Sequence, residues 1–287
     1  MSKAKIGIIG GTGLYKIEGL AEIEEVRINT PFGEPSDAIL LGKFEGIAVA
    51  FLPRHGKGHH ISPTELPAKA NIYALKSLGV ERIISVNAVG SLRDEMKPLE
   101  LVIPDQAIDH TKGRDSTFFS DGMVAHIAFA EPFCPILSQV LFDAATAAGT
   151  RVHRGGAYLA TEGPQFSTRA ESQLYRSWGA AIVGMTALPE AKLAREAEIC
   201  YAILAIVTDY DCWHSSYKSV TAEMILSNLV RGVDIAKKIL RLSIPLIPQK
   251  RDCACATALK DAIVTAPQYI PEKIKRDLAP FIGKYLN

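Results

Sequence analysis

No stretch of this 287-residue chain reaches the roughly 18 uninterrupted apolar residues that a membrane-spanning helix requires. The run near the N-terminus, Ile6-Gly-Ile-Ile-Gly10, is too short for the core of a signal peptide. The chain is therefore expected to be soluble and cytoplasmic, with no membrane partner. It also lacks an excess of either charge: 32 Lys and Arg stand against 31 Asp and Glu. That balance leaves no broad basic field for a polyanion and argues against nucleic acid, although a small anion such as phosphate needs only local positive charge. There is no internal repeat and no low-complexity linker. Cysteine is scarce, at Cys134, Cys200, Cys212, Cys253 and Cys255. Reduced thiols are the ordinary expectation. Only Cys253-Ala-Cys255 forms a close pair, a poor zinc half-site that the sequence does not complete with a second, so no metal is expected.

What is present is apolar sequence in short blocks, 48% of the chain. Residues 4–10 read as a buried strand entering a glycine loop. Ala38–Gly42 and Ile47–Leu52 read as strands joined by a Glu45-Gly46 turn. Pro67 to Leu78 has proline in its first turn, helical apolar spacing and Gly79 beyond its end. Strands are expected at 82–87, 101–105, 152–160 and 201–208, and helices at 135–148, 168–178, 188–199 and 222–242. Strands alternate with helices, and several strands are apolar throughout, as in a sheet covered on both faces. The fold class that follows is α/β: a single α/β/α domain with a mixed, mostly parallel central sheet. It should span 1–248. Residues 249–287 should form a tail of one or two helices, packed on the body or on a neighbouring subunit.

Three segments offer chemistry. Gly10-Gly-Thr-Gly13 follows the first strand. Its spacing fails the dinucleotide fingerprint, because position 16 is lysine, which weighs against a nicotinamide-dependent reductase. A plain glycine turn and a phosphate cradle using Thr12 both remain open. Arg54-His-Gly-Lys-Gly-His59-His60 ends another strand, where open α/β sheets place ligands. Arg54 is a planar fork suited to phosphate oxygens, and His55 and His59 can add single donors. Zinc is disfavoured there, since the irregularly spaced histidines have no carboxylate or cysteine among them. Thr208-Asp-Tyr-Asp-Cys-Trp213 places two carboxylates at the end of a buried strand. They could be simple turn and cap residues. They would also suit a 6-aminopurine, which offers N7 as acceptor and its amino group as donor. A raised pKa would let one of them act as an acid.

Taken in order, these segments resemble the trimeric purine nucleoside phosphorylases over about residues 4–245. The likeness also rests on Thr30-Pro-Phe-Gly-Glu-Pro-Ser36, Asn87-Ala-Val-Gly-Ser-Leu92, Ala130-Glu-Pro-Phe-Cys134, Glu162-Gly-Pro-Gln-Phe-Ser-Thr-Arg-Ala-Glu171 and Gly184-Met-Thr186. The resemblance implies a purine nucleoside phosphorylase-like catalytic domain and a pentosyltransferase activity. The implied reaction is phosphorolysis of 5′-methylthioadenosine to adenine and 5-methylthioribose 1-phosphate, in purine and methionine salvage. A 6-oxopurine nucleoside or methylthioinosine is the alternative substrate, and the two aspartates argue against it. Inorganic phosphate would be a co-substrate, with no cofactor, and the partner a second copy of the chain, in a homotrimer or dimer of trimers.

Residue by residue, the resemblance assigns phosphate binding to Thr12, Arg54, His55, Asn87, Ala88 and Thr186. Met185 would lie under the ribose, and Phe166 and Ser167 in the base-pocket loop. Asp209 and Asp211 would bind adenine, with Asp209 at N7. Ala222, Ile225 and Leu226 would form the wall around the methylthio group, and His126 would be lent to a neighbouring subunit's site. Asn87 stands where some relatives have Thr or Ser, and Gln165 where many have Arg. The tail resembles thermophilic and bacterial members in which the Cys-x-Cys pair takes part in disulfides, so the resemblance also raises a Cys253–Cys255 bridge.

Overall fold

A computed structural model describes residues 4–11, 14, 19–214 and 222–286, with only the backbone of 222 and 224–226. Along the chain run β1 (Ile6–Gly10), β2 (Leu20–Val26), β3 (Ile39–Phe44), β4 (Ile47–Pro53), α1 (Ala68–Ser77), β5 (Arg82–Ser91), β6 (Leu101–Ile103), β7 (Gln106–His110) and α2 (Pro135–Ala147). Then follow β8 (Val152–Arg154), β9 (Ala157–Thr161), α3 (Arg169–Ser177), β10 (Ala180–Gly184), α4 (Ala187–Glu196), β11 (Cys200–Asp209) and α5 (Ala222–Ser243), with α6 (Glu272–Asp277) and α7 (Ala279–Ile282) in the tail.

The described strands form one mixed, mostly parallel sheet, ordered β2-β3-β4-β1-β5-β10-β9-β7, with β11, β6 and β8 branching from β5. Strand β11 shows why the apolar blocks lack alternation. Tyr201, Ile203, Ala205 and Val207 pack into one apolar cluster with residues of α1 and α4. Ala202, Leu204 and Ile206 pack into a second with residues of α2 and α5. Successive side chains of a strand point to opposite faces, so a strand covered twice must be apolar at every position. In the tail, Leu259, Ala262, Ile270, Leu278, Phe281 and Ile282 belong to the first cluster.

Several element boundaries differ from the sequence reading. The single strand expected at 152–160 is two, β8 against β6 and β9 against β7, both parallel. The chain changes partner at Gly155 and Gly156, whose φ of 82° and 97° a side chain would resist. Strand β6 stops before Pro104, short of the expected Asp105. Leu188 is extended rather than helical, and α4 ends at Glu196. Strands β2, β7 and β10 were not foreseen. The Glu45-Gly46 turn has φ of 49° and 76°, as a tight hairpin between β3 and β4 needs.

Helix α5 approaches β11 so closely that a Cβ at Gly232 would lie 2.4 Å from Ile206 Cγ2. Gly232→Ala improves helix propensity, yet it should lower stability by about 1–3 kcal/mol through overpacking. Denaturant unfolding of the variant against the parent measures this, and a gain in stability would show that the contact yields.

Candidate active site

Strand β5 belongs to two half-sheets. Along one edge it pairs with β1 only as far as Ser85 and with β10 only from Gly90, while its other edge pairs with β11 throughout. Residues 86–89 are therefore unpaired on the first edge. Ligands in open α/β sheets occupy such switch points. A cavity of about 540 Å³ opens there, lined by Arg54, His55, Ala88, Met185, Thr186, Phe166, Ser167, Asp209 and Asp211 among others. Its size suits a small-molecule ligand. The strand ends of β1, β4, β5, β10 and β11 thus bring the two predicted motifs, Arg54-His55 and Asp209–Asp211, into one space.

At one end of the cavity lies a buried polar network. Arg54 Nε and Nη2 donate to the two carboxylate oxygens of Glu190 at 2.6 and 3.2 Å. Nη1 donates to the Val86 carbonyl at 3.1 Å, and Nη2 also to the Ser85 hydroxyl at 2.6 Å. Four hydrogen bonds thus engage a guanidinium that has five N–H groups, so Arg54 is chiefly an organiser of this end rather than an open fork. Ser85 donates on to Asn87 Oδ1 at 2.8 Å, and Asn87 Nδ2 donates to Thr186 Oγ1 at 2.8 Å. Tyr201 donates its hydroxyl to Glu190 at 2.8 Å. Burial opposes the charge on Arg54, but Glu190 outweighs it and the guanidinium pKa is raised.

His55 was expected to donate. Its Nδ1 lies 2.9 Å from the Ile61 carbonyl, which can only accept, so Nδ1 carries the proton. Burial, with Arg54 beside it, lowers its pKa to about 4. The ring is neutral near pH 7, and Nε2 is an acceptor. Such a nitrogen suits a phosphate that retains a hydroxyl proton. His59 stacks on this ring, with centroids 4.2 Å apart.

The opposite end carries the carboxylates. Asp209 closes β11 and is 3% exposed. Its oxygens accept from the Thr208 hydroxyl and from the Asp211 N–H, each at 2.7 Å. Burial, with Asp211 nearby, raises its pKa to about 6. Asp211 follows in a left-handed conformation, φ 51°. Burial raises its pKa as well, against the opposing pull of Ser172, the Cys212 N–H and Ser167, and its Oδ2 is buried without a well-formed hydrogen bond among the described residues. A buried polar atom without a partner is costly unless a ligand completes it. Phe166 places a 45% exposed ring against the same space.

Other predicted residues fall elsewhere. His126 is exposed and does not line this cavity; its backbone N–H donates to the Ala262 carbonyl at 2.8 Å. Thr12 lies outside the described residues, as do the side chains of Ala222, Ile225 and Leu226. One and two turns further along α5, Leu229 and Val233 line the cavity. Sequence reading missed them, although their spacing of four from Ile225 marks the same helix face. It also missed Glu190 and Arg114. Arg114 donates to the carbonyls of Met185, Leu188, Thr161 and Glu162, and to the Glu162 carboxylate, tying two cavity loops together. Burial raises the Glu162 pKa, but the Lys112 N–H, the Thr64 hydroxyl and Arg114 prevail and bring it to about 2.

This geometry is that of a known family. A model of the phosphorylase superfamily matches residues 5–244, and the chain belongs to that superfamily. It is similar to the S-methyl-5′-thioadenosine phosphorylase of Thermosynechococcus vestitus, with 55% identity over 287 residues and 99% of each chain covered. That of Chloroflexus aurantiacus shares 55% identity over 286 residues, again with 99% of each covered. Among solved structures, a methylthioadenosine phosphorylase from an antarctic soil metagenomic library shares 49% identity at a TM-score of 0.93, covering 98% of this chain and 99% of that one. A mutant adenosine/methylthioadenosine phosphorylase from Schistosoma mansoni, in complex with methylthioadenosine, shares 36% identity at a TM-score of 0.83, with 98% of each covered.

The Asp209 carboxyl has a consequence for stability. Its folded pKa of about 6 exceeds the usual 3.8. Below pH 3.8 both folded and unfolded chains hold the proton and nothing is lost. As pH rises from 3.8 to about 6 the unfolded chain ionises first, so folding loses on the order of 3 kcal/mol. Asp209→Asn should therefore gain stability over the parent across that interval, by roughly 1–3 kcal/mol once one acceptor is lost. Unfolding free energies at a series of pH values check this; a difference independent of pH would mean that the carboxyl ionises normally.

Proposed function

We propose that this chain catalyses phosphorolysis of 5′-methylthioadenosine to adenine and 5-methylthioribose 1-phosphate, in purine and methionine salvage. The observation that carries the reading is the shared cavity, with a donor-rich network at one end and two buried, pKa-raised carboxyls at the other. The full-length likeness to S-methyl-5′-thioadenosine phosphorylases supports the substrate.

Phosphate binds beside Thr12, His55, Asn87, Ala88 and Thr186, with Arg54 fixing Asn87 through Ser85 and supplying positive charge. The unpaired edge of β5 offers backbone groups at Ala88. Met185 lies under the ribose, and Phe166 and Ser167 flank the base. Leu229 and Val233 give the cavity an apolar face on α5, and Ala222, Ile225 and Leu226 are the residues the family resemblance assigns to the methylthio group. As the C1′–N9 bond lengthens, positive charge grows on the ribose ring, and bound phosphate both stabilises it and attacks C1′. The bonding pair passes to the purine. Asp209 gives its proton to N7, so adenine leaves neutral, while Asp211 accepts from the 6-amino group. A 6-oxo group would set acceptor against acceptor at Asp211. Placement and fixed charge supply most of the rate enhancement. Phosphate is the co-substrate, and no cofactor enters these steps. The chain works in the cytoplasm as a homotrimer or dimer of trimers, in which the exposed His126 reaches a neighbour's cavity.

Incubation with methylthioadenosine should release adenine only when phosphate is present. Asp209→Asn should lower kcat/KM by about 10²-fold or more, the scale of a lost general acid; an unchanged value removes Asp209 from the chemistry. His55→Ala should raise the KM for phosphate roughly ten-fold, as for loss of a hydrogen bond to a charged group, and leave the KM for nucleoside nearly constant. Steady-state kinetics with each substrate varied in turn separate these effects.

A further inference from the structure

Cys200 and Asp209 stand at opposite ends of β11, about 30 Å apart along the strand. At the Cys200 end, far from the cavity just described, four cysteines meet. The Sγ atoms of Cys134, Cys200, Cys253 and Cys255 all lie within 4.8 Å of one another. Four sulfurs bound to zinc at about 2.3 Å stand about 3.8 Å apart in a regular tetrahedron. The shortest hydrogen-bond contact among them, Cys200 to Cys253, is 3.3 Å, well beyond the roughly 2.05 Å of a disulfide. None of the five cysteines is disulfide-bonded in this structure, which lacks the Cys253–Cys255 bridge raised by the resemblance.

Sequence reading stopped at a lone half-site because the other half comes from distant chain. Cys134 precedes α2 and Cys200 opens β11. The tight spacing of Cys253 and Cys255 is accommodated by the 3₁₀ turn Ala254–Thr257, which keeps both sulfurs on one side. Cys134 is the N-cap of the 13-residue α2, next to the positive end of that helix. Arg82, Lys250 and Arg251 border the same small cavity as Cys134, Cys200 and Cys253. Arg82 and Arg251 also pair with Glu81, and Lys250 with Asp252, so these cations offset only part of the double negative charge of a divalent ion held by four thiolates. Cys134, Cys200 and Cys255 are buried and Cys253 partly exposed, which leaves a path for the ion and no open position for chemistry.

We propose that these four cysteines form a structural tetrathiolate zinc site that clips the C-terminal tail to the body. On binding, each thiol gives its proton to solvent as its sulfur bonds the ion, and no oxidation state changes. The clip lies just ahead of the tail segment that pairs with the chain around His126, through the Ala125–Ile263 bridge and the Val264 N–H to the Val124 carbonyl.

The full chain, purified without chelator from zinc-supplemented cells, should carry about one zinc per chain by elemental mass spectrometry. Titration with an organomercurial should release that zinc in step with thiol modification. Cys253→Ser combined with Cys255→Ser should retain less than about a tenth of it and melt at lower temperature, while Cys212→Ser retains it all. Parent protein free of zinc overturns the proposal, whether its four thiols are free or its native mass is lower by the four hydrogens of two disulfides. That measurement stands even if the double variant fails to fold.

Discussion

Arg54 and Glu190 bring a full positive and a full negative charge out of water at the end of β4 and the start of α4, 2.6 Å apart. Burying such a pair gains little net stability, but leaving either partner alone would cost about 3–5 kcal/mol. Every group the pair touches is therefore held in place. Ser85 and Val86 fix it to β5, Tyr201 fixes it to β11, and Asn87 and Thr186 extend it toward the ligand space. This end of the cavity is an assembly of backbone and side-chain dipoles, anchored beneath by one ion pair.

The two ends of the cavity are tuned in opposite senses by the same cause. Desolvation disfavours charge, so it pushes His55 down and Asp209 up. Near neutral pH the histidine is neutral, with its remaining proton on Nδ1, and the aspartate titrates within about a pH unit. Val183 of β10 and Leu229 and Val233 of α5 give the same cavity an apolar lining. The sheet sets both groups at strand ends, Arg54 and His55 just beyond β4 and Asp209 at the end of β11.

Much of this was legible in the sequence, for identifiable reasons. Apolar blocks such as Tyr201–Thr208 declared a sheet covered on both faces, and glycines at helix ends marked α1, α2 and α3. The Arg54-His55 and Asp209–Asp211 motifs could be placed at strand ends because each follows an apolar run. What escaped depends on contacts between distant residues. Glu190 reads as one more helical carboxylate until Arg54, 136 positions away, lies beside it. Arg114 sits in a polar loop, and nothing local shows that four carbonyls converge on it. Strand β2 is glutamate-rich and largely exposed, and β10 is only five residues long, directly after a glycine turn. Cys134 and Cys200 acquire meaning only beside the tail.

The split of the sheet at β5 also limits how this molecule can vary. Residues 82–85 are registered against one half-sheet and residues 90–91 against the other, with β11 alongside both. The four positions between them have no slack at either end. An insertion or deletion there would turn Asn87 to the opposite face of the strand, away from Thr186, and put an apolar neighbour in its place, since alternation along a strand permits no half-step. Evolution, or a designer seeking a new substrate, has to work through the loops after β9 and β11 and the face of α5. The floor beneath them can change its letters but not its length.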